Sequence, residues 1–504
     1  MKSTPSCIQT VTDPCPRLSY GLRHVAITIV LGGILFGFAV PAAAADLMPR
    51  SSGIDVASGI LAGMLLAGLI CYCLWLAVVP IAKKARSDLK RAAGLLVALL
   101  IIKTVALLFF SGFPIDVGTY EAWALQLAQS GPASMYQSGF FLDYPPGYLY
   151  ALWAAGALAH SVGATGDMLR MIIGTPALFA DFALGILIFA LMWRLAGRAA
   201  AWLGMLLFAL NPALLFDTVV WVQTDSAVAL VMLLGLVMLM DGEVAAGWGL
   251  AALAVLIKPQ AISLWPVLFL WTLMRGNLKV WLLAAGAVIA VTVVTVAPFQ
   301  VGHAWNWLPN LYLSTIAYYH ETSVNAFNFN ALIGGLRAPD SGTIAGLSYF
   351  AMGVSLLIPL YALALWALAR NPVRRNLFFA AFMVLFGFFM FAPRIHERYV
   401  YPALVFAVPL VLEGPAMLAV FSLQPFCDPK HAAEIPDILA HEHDAGIALE
   451  HHIHRRVQRL NHVHLWHGAQ PRSAASASRC RRRCSGICLK TSSNMRFRSS
   501  SCGI

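Results

Sequence analysis

The sequence predicts an all-α, polytopic membrane protein with about 11–12 transmembrane helices and a large outer loop carrying interfacial helices. Three features say so. Of its 504 residues, 60% are hydrophobic and 11% charged, whereas a soluble domain carries about 25% charged. Apolar stretches near 20 residues, about the length of a bilayer-crossing α-helix, recur along the chain. They are continuously apolar instead of alternating, which excludes a membrane β-barrel.

Hydropathy places apolar segments at 25–45, 56–80, 92–112, 171–193, 199–216, 226–240, 246–257, 259–274, 280–299, 344–369, 376–392 and 399–413. The first also has the layout of a signal peptide, with Arg23 ahead of it and Ala42 to Ala45 at its end, but its 21 apolar residues favour a retained span. Four basic clusters orient the rest, because short loops rich in Lys and Arg stay cytoplasmic. They are Lys83, Lys84, Arg86, Lys90 and Arg91; Arg194 and Arg198; Arg275 and Lys279; and Arg370, Arg374 and Arg375. All four share one side only if 113–170 is a single outer loop, with the apolar stretch 146–160 lying in the interface. That loop is too aromatic and apolar to read as disorder, and loops this long are usually functional. A second outer loop, 300–343, carries Trp305, Trp307, Tyr312, Tyr318, Tyr319, Phe327 and Phe329. For most of these the expectation is an interfacial aromatic belt.

The net charge of +11 is unevenly spread, since residues 414–504 hold 12 of the 34 Lys and Arg, 9 of the 14 His and 5 of the 9 Cys. The chain therefore divides into N-terminal spans with a basic loop (1–91), the main transmembrane region (92–413) and a polar tail (414–504). The tail reads as a shifted reading frame or a solvated extension. Its histidines from His441 to His464, with Cys480, Cys484 and Cys488, do not match common zinc spacings. The first 413 residues carry 22 basic and 17 acidic side chains, a balance that gives no case for nucleic-acid binding. Cys7, Cys15, Cys71 and Cys73 are too few and too scattered for a disulfide framework.

Five stretches at the outer helix ends carry polar chemistry. In FPIDVGTYEAW (113–123), Pro114 is read as ending the preceding helix. Asp116 then stands near the membrane surface, as a general base for a hydroxyl or as the N-cap of a helix around 120–128. In LDYPPGYLY (142–150), two prolines keep Asp143 and Tyr144 out of a helix; the alternative is a rigid turn with an exposed acid. WVQTD (221–225) places Trp221, Gln223 and Asp225 at the edge of a long apolar run, where polar residues are costly and tend to be functional. KPQ (258–260) offers Lys258 as a point charge for a phosphate, or as a lysine snorkelling to the surface. PRIHERYVYP (393–402) gathers Arg394, His396, Glu397 and Arg398 where the orientation rule expects few cations, and an anionic ligand such as a phosphodiester accounts for them.

Taken in order, these five motifs resemble the GT-C class of integral-membrane glycosyltransferases over roughly residues 92–412. More closely, they are similar to bacterial relatives of GPI-anchor mannosyltransferases and to dolichyl-phosphate-glucose glucosyltransferases. The resemblance implies inverting transfer of a hexose, mannose or glucose, from a polyprenyl-phosphate-linked donor to a hydroxyl of a glycan or lipid acceptor. It implies a site on the non-cytoplasmic face of a bacterial inner (plasma) membrane, among membrane lipids. Asp116 matches the family's catalytic acid, but Val117, Gly118 and Thr119 separate it from Tyr120-Glu121-Ala122, so Glu121 stays as a second candidate. The family pattern implies donor-phosphate binding by His396 and Arg398, and the residue chemistry adds Lys258 and Arg394 as candidates for the same phosphate. Asp143, Tyr144, Trp221, Gln223, Asp225 and Glu397 would shape the acceptor side and the active site.

The residues alone lead to the same mechanism. A lipid phosphate leaves readily, so one base for the acceptor and one cationic cluster for the departing phosphate suffice. No cofactor is expected, and no His and Asp set at metal-ligand spacing occurs in the membrane part. The competing class is a secondary transporter of a small polar or anionic solute, because Lys103 and Asp181 lie inside predicted spans. Against it, the polar signals gather at one surface and no internal repeat is found.

Overall fold

The computed structural model describes residues 53–137, 140–318 and 320–414. The apolar segment 25–45, Cys7, Cys15, Tyr319 and the His and Cys pattern of the tail lie outside the described residues. Within them the fold is all-α, with fifteen α-helices and one two-stranded antiparallel turn, β1 (Thr343–Ile344) with β2 (Leu347–Ser348).

Five helices are long and apolar enough to cross a membrane. They are α1 (Gly53–Ala82), α5 (Gly166–Ala209), α10 (Leu278–Val296, with a 3-10 turn to Phe299), α13 (Tyr349–Arg370) and α14 (Arg374–Phe391). Helix α5 joins two predicted spans end to end, and the chain breaks between them at Gly197, whose φ of 83° only glycine adopts readily. The predicted spans 226–240 and 246–257 are the shorter α7 (Asp225–Met240) and α8 (Val244–Ile257). At 1.5 Å per residue they rise about 24 and 21 Å, less than the ~30 Å of a hydrocarbon core. The segment 259–274 begins as a 3-10 turn, Pro259–Leu264, and continues as α9 (Trp265–Leu273).

Helix α7 is the centre of the molecule: nearly every residue from Asp225 to Leu239 is buried, as an all-round apolar helix requires. Its two ends collect different partners. At the C-terminal end Asp241 pairs with Arg194. Arg198 makes a bidentate pair with Asp88 at 2.9 and 3.0 Å, and Arg275 donates to the Pro372 carbonyl at 2.7 Å. Arg375 pairs with Glu413 at 2.8 Å. Cations of three of the four basic clusters are thus tied to neighbouring segments, and the chemistry-bearing stretches collect around the other end of α7.

The sequence reading needs correction at two places. Helix α2 (Arg86–Ala106) ends before the predicted limit of 112, and Pro114 opens α3 (Pro114–Ser130) instead of ending a helix. Proline serves the first turn well, where its missing N–H has no helical partner. Asp116 therefore sits in the first turn and Phe113 holds the cap position, so the N-cap reading of Asp116 falls.

Within 113–170, the stretch expected to form an outer loop, the helices are α3 and α4 (Leu149–Ser161). They pack closely because position 156 is glycine: a Cβ there would stand 2.2 Å from the Ala124 carbonyl oxygen. Asn211 caps the one-turn helix α6 (Pro212–Leu215), accepting from Ala213 at 2.9 Å and Leu214 at 3.3 Å. A π-turn, Phe216–Val220, follows. The segment 300–343 holds α11 (Trp307–Tyr318) and α12 (Phe329–Gly334), and α15 (Tyr401–Ala407) returns the chain to the core.

The two charges that motivated the transporter reading face each other. Lys103 Nζ donates to Asp181 Oδ2 at 2.5 Å inside the bundle, and the Tyr401 hydroxyl donates to Asp181 Oδ1 at 3.3 Å. A carboxylate and an ammonium so buried must be paired, and this pair joins α2, α5 and α15.

Candidate functional site

Four segments meet beside the N-terminal end of α7. Helix α3 supplies Asp116, Tyr120 and Trp123. On a 100° per residue wheel these share one face, while Glu121 stands about 140° round from Asp116. The Phe113 N–H bonds the Trp221 carbonyl at 3.3 Å, and the Phe113 ring packs on Trp221 at 5.6 Å, so the start of α3 is fixed to WVQTD. There the chain is strained: Val222 has a φ of 59°, rare for a β-branched residue. This turn buries Gln223 completely.

Gln223 is the hub. Its Nε2 donates to Asp116 Oδ2 at 2.7 Å and its Oε1 accepts from the Tyr120 hydroxyl at 3.2 Å. Tyr120 and Tyr144 hydroxyls lie 3.0 Å apart. Arg398 reaches the same Asp116 Oδ2 at 3.1 Å and Glu397 at 3.4 Å. One carboxylate oxygen is thus held by an amide and a guanidinium at once, which fixes its rotamer. Tyr120, Trp123 and Tyr144 pack in edge and tilted contacts with centroids 5.2–5.9 Å apart.

The DYPP turn is placed from both sides. Gly147 N–H bonds the Leu256 carbonyl at 2.7 Å, and a Cβ at 147 would stand 2.5 Å from that oxygen, so the close approach needs glycine. The Tyr136 hydroxyl bonds the Tyr144 carbonyl at 2.9 Å, and the Tyr136 ring meets Trp307 in a tilted contact with centroids 4.4 Å apart. Trp307 and Tyr312, whose hydroxyl bonds the Val255 carbonyl at 3.2 Å, buttress the site, whereas Trp305 is exposed. Burial pushes the Asp143 carboxyl up to about 6, and the nearby Asp116 charge adds to this.

Lys258 does not snorkel. Helix α8 ends at Ile257, and the extended Lys258 turns its ammonium onto Asp225 Oδ2 at 2.7 Å, with the two side chains 3% and 0% exposed. Its charge is therefore already matched. Beside this pair lies Asp217, a residue that sequence reasoning missed: it is buried and neither carboxylate oxygen has a hydrogen-bond partner. Burial, then the Asp225 charge, hold its carboxyl well above the usual range. The available signal was a lone acid in a run of apolar residues eight positions before Asp225.

The PRIHER stretch divides in two. Arg394, at a φ of 64°, pairs with Asp340 at 2.7 Å and donates to the Ile316 carbonyl at 2.7 Å. It clamps the segment 300–343, as do Asn330, donating to the Phe391 and Ala392 carbonyls, and Val324 N–H, donating to the Ile395 carbonyl. Arg398 turns the other way, to Asp116. His396 is buried, and that burial, followed by the charges of Arg398 and Lys258, keeps its imidazole well below the usual range. It is neutral at pH 7, a hydrogen-bonding group and not a cation. Burial also raises the Glu397 carboxyl, against the pull of Arg398.

Asp116, Tyr144, Gln223, Glu397 and Arg398 therefore form one polar cluster, with Asp143, Asp217, Asp225, Lys258 and His396 within its electrostatic reach. Trp221 borders it through Phe113 and Phe216. Acids outnumber cations here, and aromatic rings line one side, a composition suited to hydroxyl-rich ligands. Among the described residues no group of three or more His, Cys, Asp and Glu could hold a metal ion. A search of family models finds no match to the chain, and neither does a search of curated proteins.

Proposed function

We propose that the protein is an integral-membrane glycosyltransferase that moves a hexose, mannose or glucose, from a polyprenyl-phosphate donor to an acceptor hydroxyl. The observation that carries this reading is the fixed Asp116 carboxylate, held on Oδ2 by Gln223 and Arg398 among aromatic rings. In this reading the five long apolar helices cross the bilayer. The shorter apolar α7, α8 and α9 add further crossings, and the site faces the non-cytoplasmic side of a bacterial inner membrane, opposite the basic loops.

Asp116 takes the proton of the acceptor hydroxyl through Oδ1, since Oδ2 is engaged. The acceptor oxygen bonds to the anomeric carbon from the face away from the phosphate. The carbon–phosphate-oxygen bond breaks, and its electron pair leaves on the polyprenyl phosphate, with inversion. Arg398 carries the positive charge that meets the leaving phosphate, and neutral His396 supplies a hydrogen bond. Lys258 and Arg394, paired with Asp225 and Asp340 and not with the base Asp116 as Arg398 is, act by positioning their segments. Glu121 belongs to another face of α3.

Reconstituted protein given polyprenyl-phosphate-mannose or polyprenyl-phosphate-glucose, with a membrane-lipid acceptor pool, should release free polyprenyl phosphate. A folded sample that releases none from either donor would refute the proposal.

A further inference from the structure

Three of the four basic clusters commit a cation to a neighbour inside the protein, and the cluster of Lys83, Lys84, Arg86, Lys90 and Arg91 does not. All five side chains are exposed, and among the described residues none has a hydrogen-bond or ion-pair partner. The one acid in the stretch, Asp88, is buried and turned to Arg198 on α5 at 2.9 and 3.0 Å; the charge of Arg91 adds to that of Arg198 at its carboxylate. Five positive charges within nine residues therefore face outward, at the turn from α1 to α2 and on the first turns of α2.

Helix α2 is two-sided. Counted at 100° per residue from Arg86, Lys90 and Arg91 stand at about 40° and 140°. The exposed Leu95, Val97, Ile101, Ile102 and Val105 fall at about 180°, 20°, 60°, 160° and 100°. The buried Asp88, Ala92, Leu96 and Lys103 gather between about 200° and 280°. Cations and exposed apolar side chains thus share one half of the helix, with the cations at its start. From Gly94 to Val105 the apolar face rises about 17 Å, close to one leaflet of a ~30 Å hydrocarbon core.

An anionic phosphate above a hydrocarbon chain matches this surface from end to end. The stretches outside the described residues offer no counter-charge: residues 414–504 carry 12 Lys and Arg against 6 Asp and Glu, and residues 1–52 carry 4 against 2. A second copy of the chain would bring the same five cations to a two-fold contact, where like charges repel. We propose that α2 and the turn before it bind an anionic phospholipid of the leaflet on the side of the basic loops. Its phosphate lies on Arg86, Lys90 and Arg91, and an acyl chain runs along Val97, Ile101 and Ile102. This rests on the membrane reading and is independent of the transferase reading.

The test uses the full chain in phosphatidylcholine bilayers doped with a phosphatidylglycerol that carries a photoreactive diazirine in its acyl chain. The same diazirine on phosphatidylcholine is the neutral counterpart. At equal content the anionic probe should label peptides covering Gly94–Val105 at least about tenfold more, since each cation near an anionic surface contributes about fivefold. Unlabelled phosphatidylglycerol should compete, and glycerol 3-phosphate, a headgroup without chains, should not. Arg86→Gln with Lys90→Gln and Arg91→Gln should remove the preference, with Lys83 and Lys84 kept so that orientation is unchanged. Lys279→Gln with Arg374→Gln, exposed cations of two other clusters, should leave it. Raising salt should weaken the preference in the parent itself, a readout that needs no variant. Equal labelling by the two probes would overturn the proposal in favour of ordinary bilayer contact, and competition by glycerol 3-phosphate in favour of a soluble phosphate. A preference that survives the triple variant, or one indifferent to salt, would also overturn it. Failure of both probes to label any of the five long apolar helices would refute the membrane reading and the proposal with it; labelling of those helices without a preference at α2 refutes the phospholipid site alone.

Discussion

The Lys258–Asp225 pair gives the sharpest stability prediction. Its atoms are 2.7 Å apart with 3% and 0% of the side chains exposed, and Asp225 Oδ1 has no hydrogen-bond partner. Lys258→Met would leave Asp225 buried without its counter-charge and within reach of Asp217, a second buried carboxyl. Removing one partner of such a pair costs about 3–5 kcal/mol, whereas removing both can be nearly neutral. For a cooperative unit of about 350 residues, with ~2.1 cal/mol/K of unfolding entropy each, that is roughly 4–7 °C in Tm. Thermal unfolding in one detergent should show this drop for Lys258→Met and for Asp225→Asn. The double variant should return to within about 1.5 kcal/mol of the parent, a coupling visible in a double-mutant cycle. The double variant should also bind polyprenyl-phosphate-mannose as the parent does, because the ammonium is occupied. Singles that cost under about 1 kcal/mol, or a double that costs their sum, would refute the buried-pair argument; weakened donor binding in a folded double variant would return Lys258 to the phosphate.

Gln223→Leu removes the amide that orients Asp116 and should lower kcat about 10- to 100-fold with little change in KM, as expected for a group that fixes geometry; an unchanged kcat would contradict its place as hub. Arg398→Ala and His396→Ala should each weaken donor binding, the first by at least about tenfold because it removes a charge from the phosphate; unaltered affinity in both would remove the donor from this end of the site. Asp143 predicts a pH effect. Its carboxyl rises from 3.8 to about 6 in the folded protein, so between those values the folded state holds more protons and stability falls as pH rises, by at most about 3 kcal/mol. Asp143→Asn should then stabilise the protein above pH 6 and leave it unchanged near pH 3.8; a gain equal at both pH values would contradict the shift.

Local chemistry made much of this site legible in the sequence. Proline pairs and Pro after Lys258 interrupt helices wherever they occur, so the DYPP turn and the break after Ile257 were visible without tertiary information. Pro114 was misread because the same residue marks both the end of one helix and the start of the next. Arg394 and Arg398 are indistinguishable in a basic cluster. What separates them is the left-handed backbone at Arg394 and the presence of Asp340, 54 residues earlier in the chain. Asp217 was missed for a related reason: its neighbours Asp225 and Lys258 become neighbours only through the π-turn and the end of α8. The competition between Asp116 and Glu121 narrows once the helix is known to begin at Pro114, since the periodicity then assigns them different faces. The internal pairing of Lys103 with Asp181 likewise needed the packing of α2 against α5.

The central claim is that Asp116 is the base. In purified, reconstituted protein, Asp116→Asn should bind polyprenyl-phosphate-sugar with the affinity of the parent and release polyprenyl phosphate at a rate lower by at least about 10²-fold, the scale of a lost general base, while Glu121→Gln keeps both. Release at the parent's rate from Asp116→Asn, in a sample shown to be folded, would contradict the account.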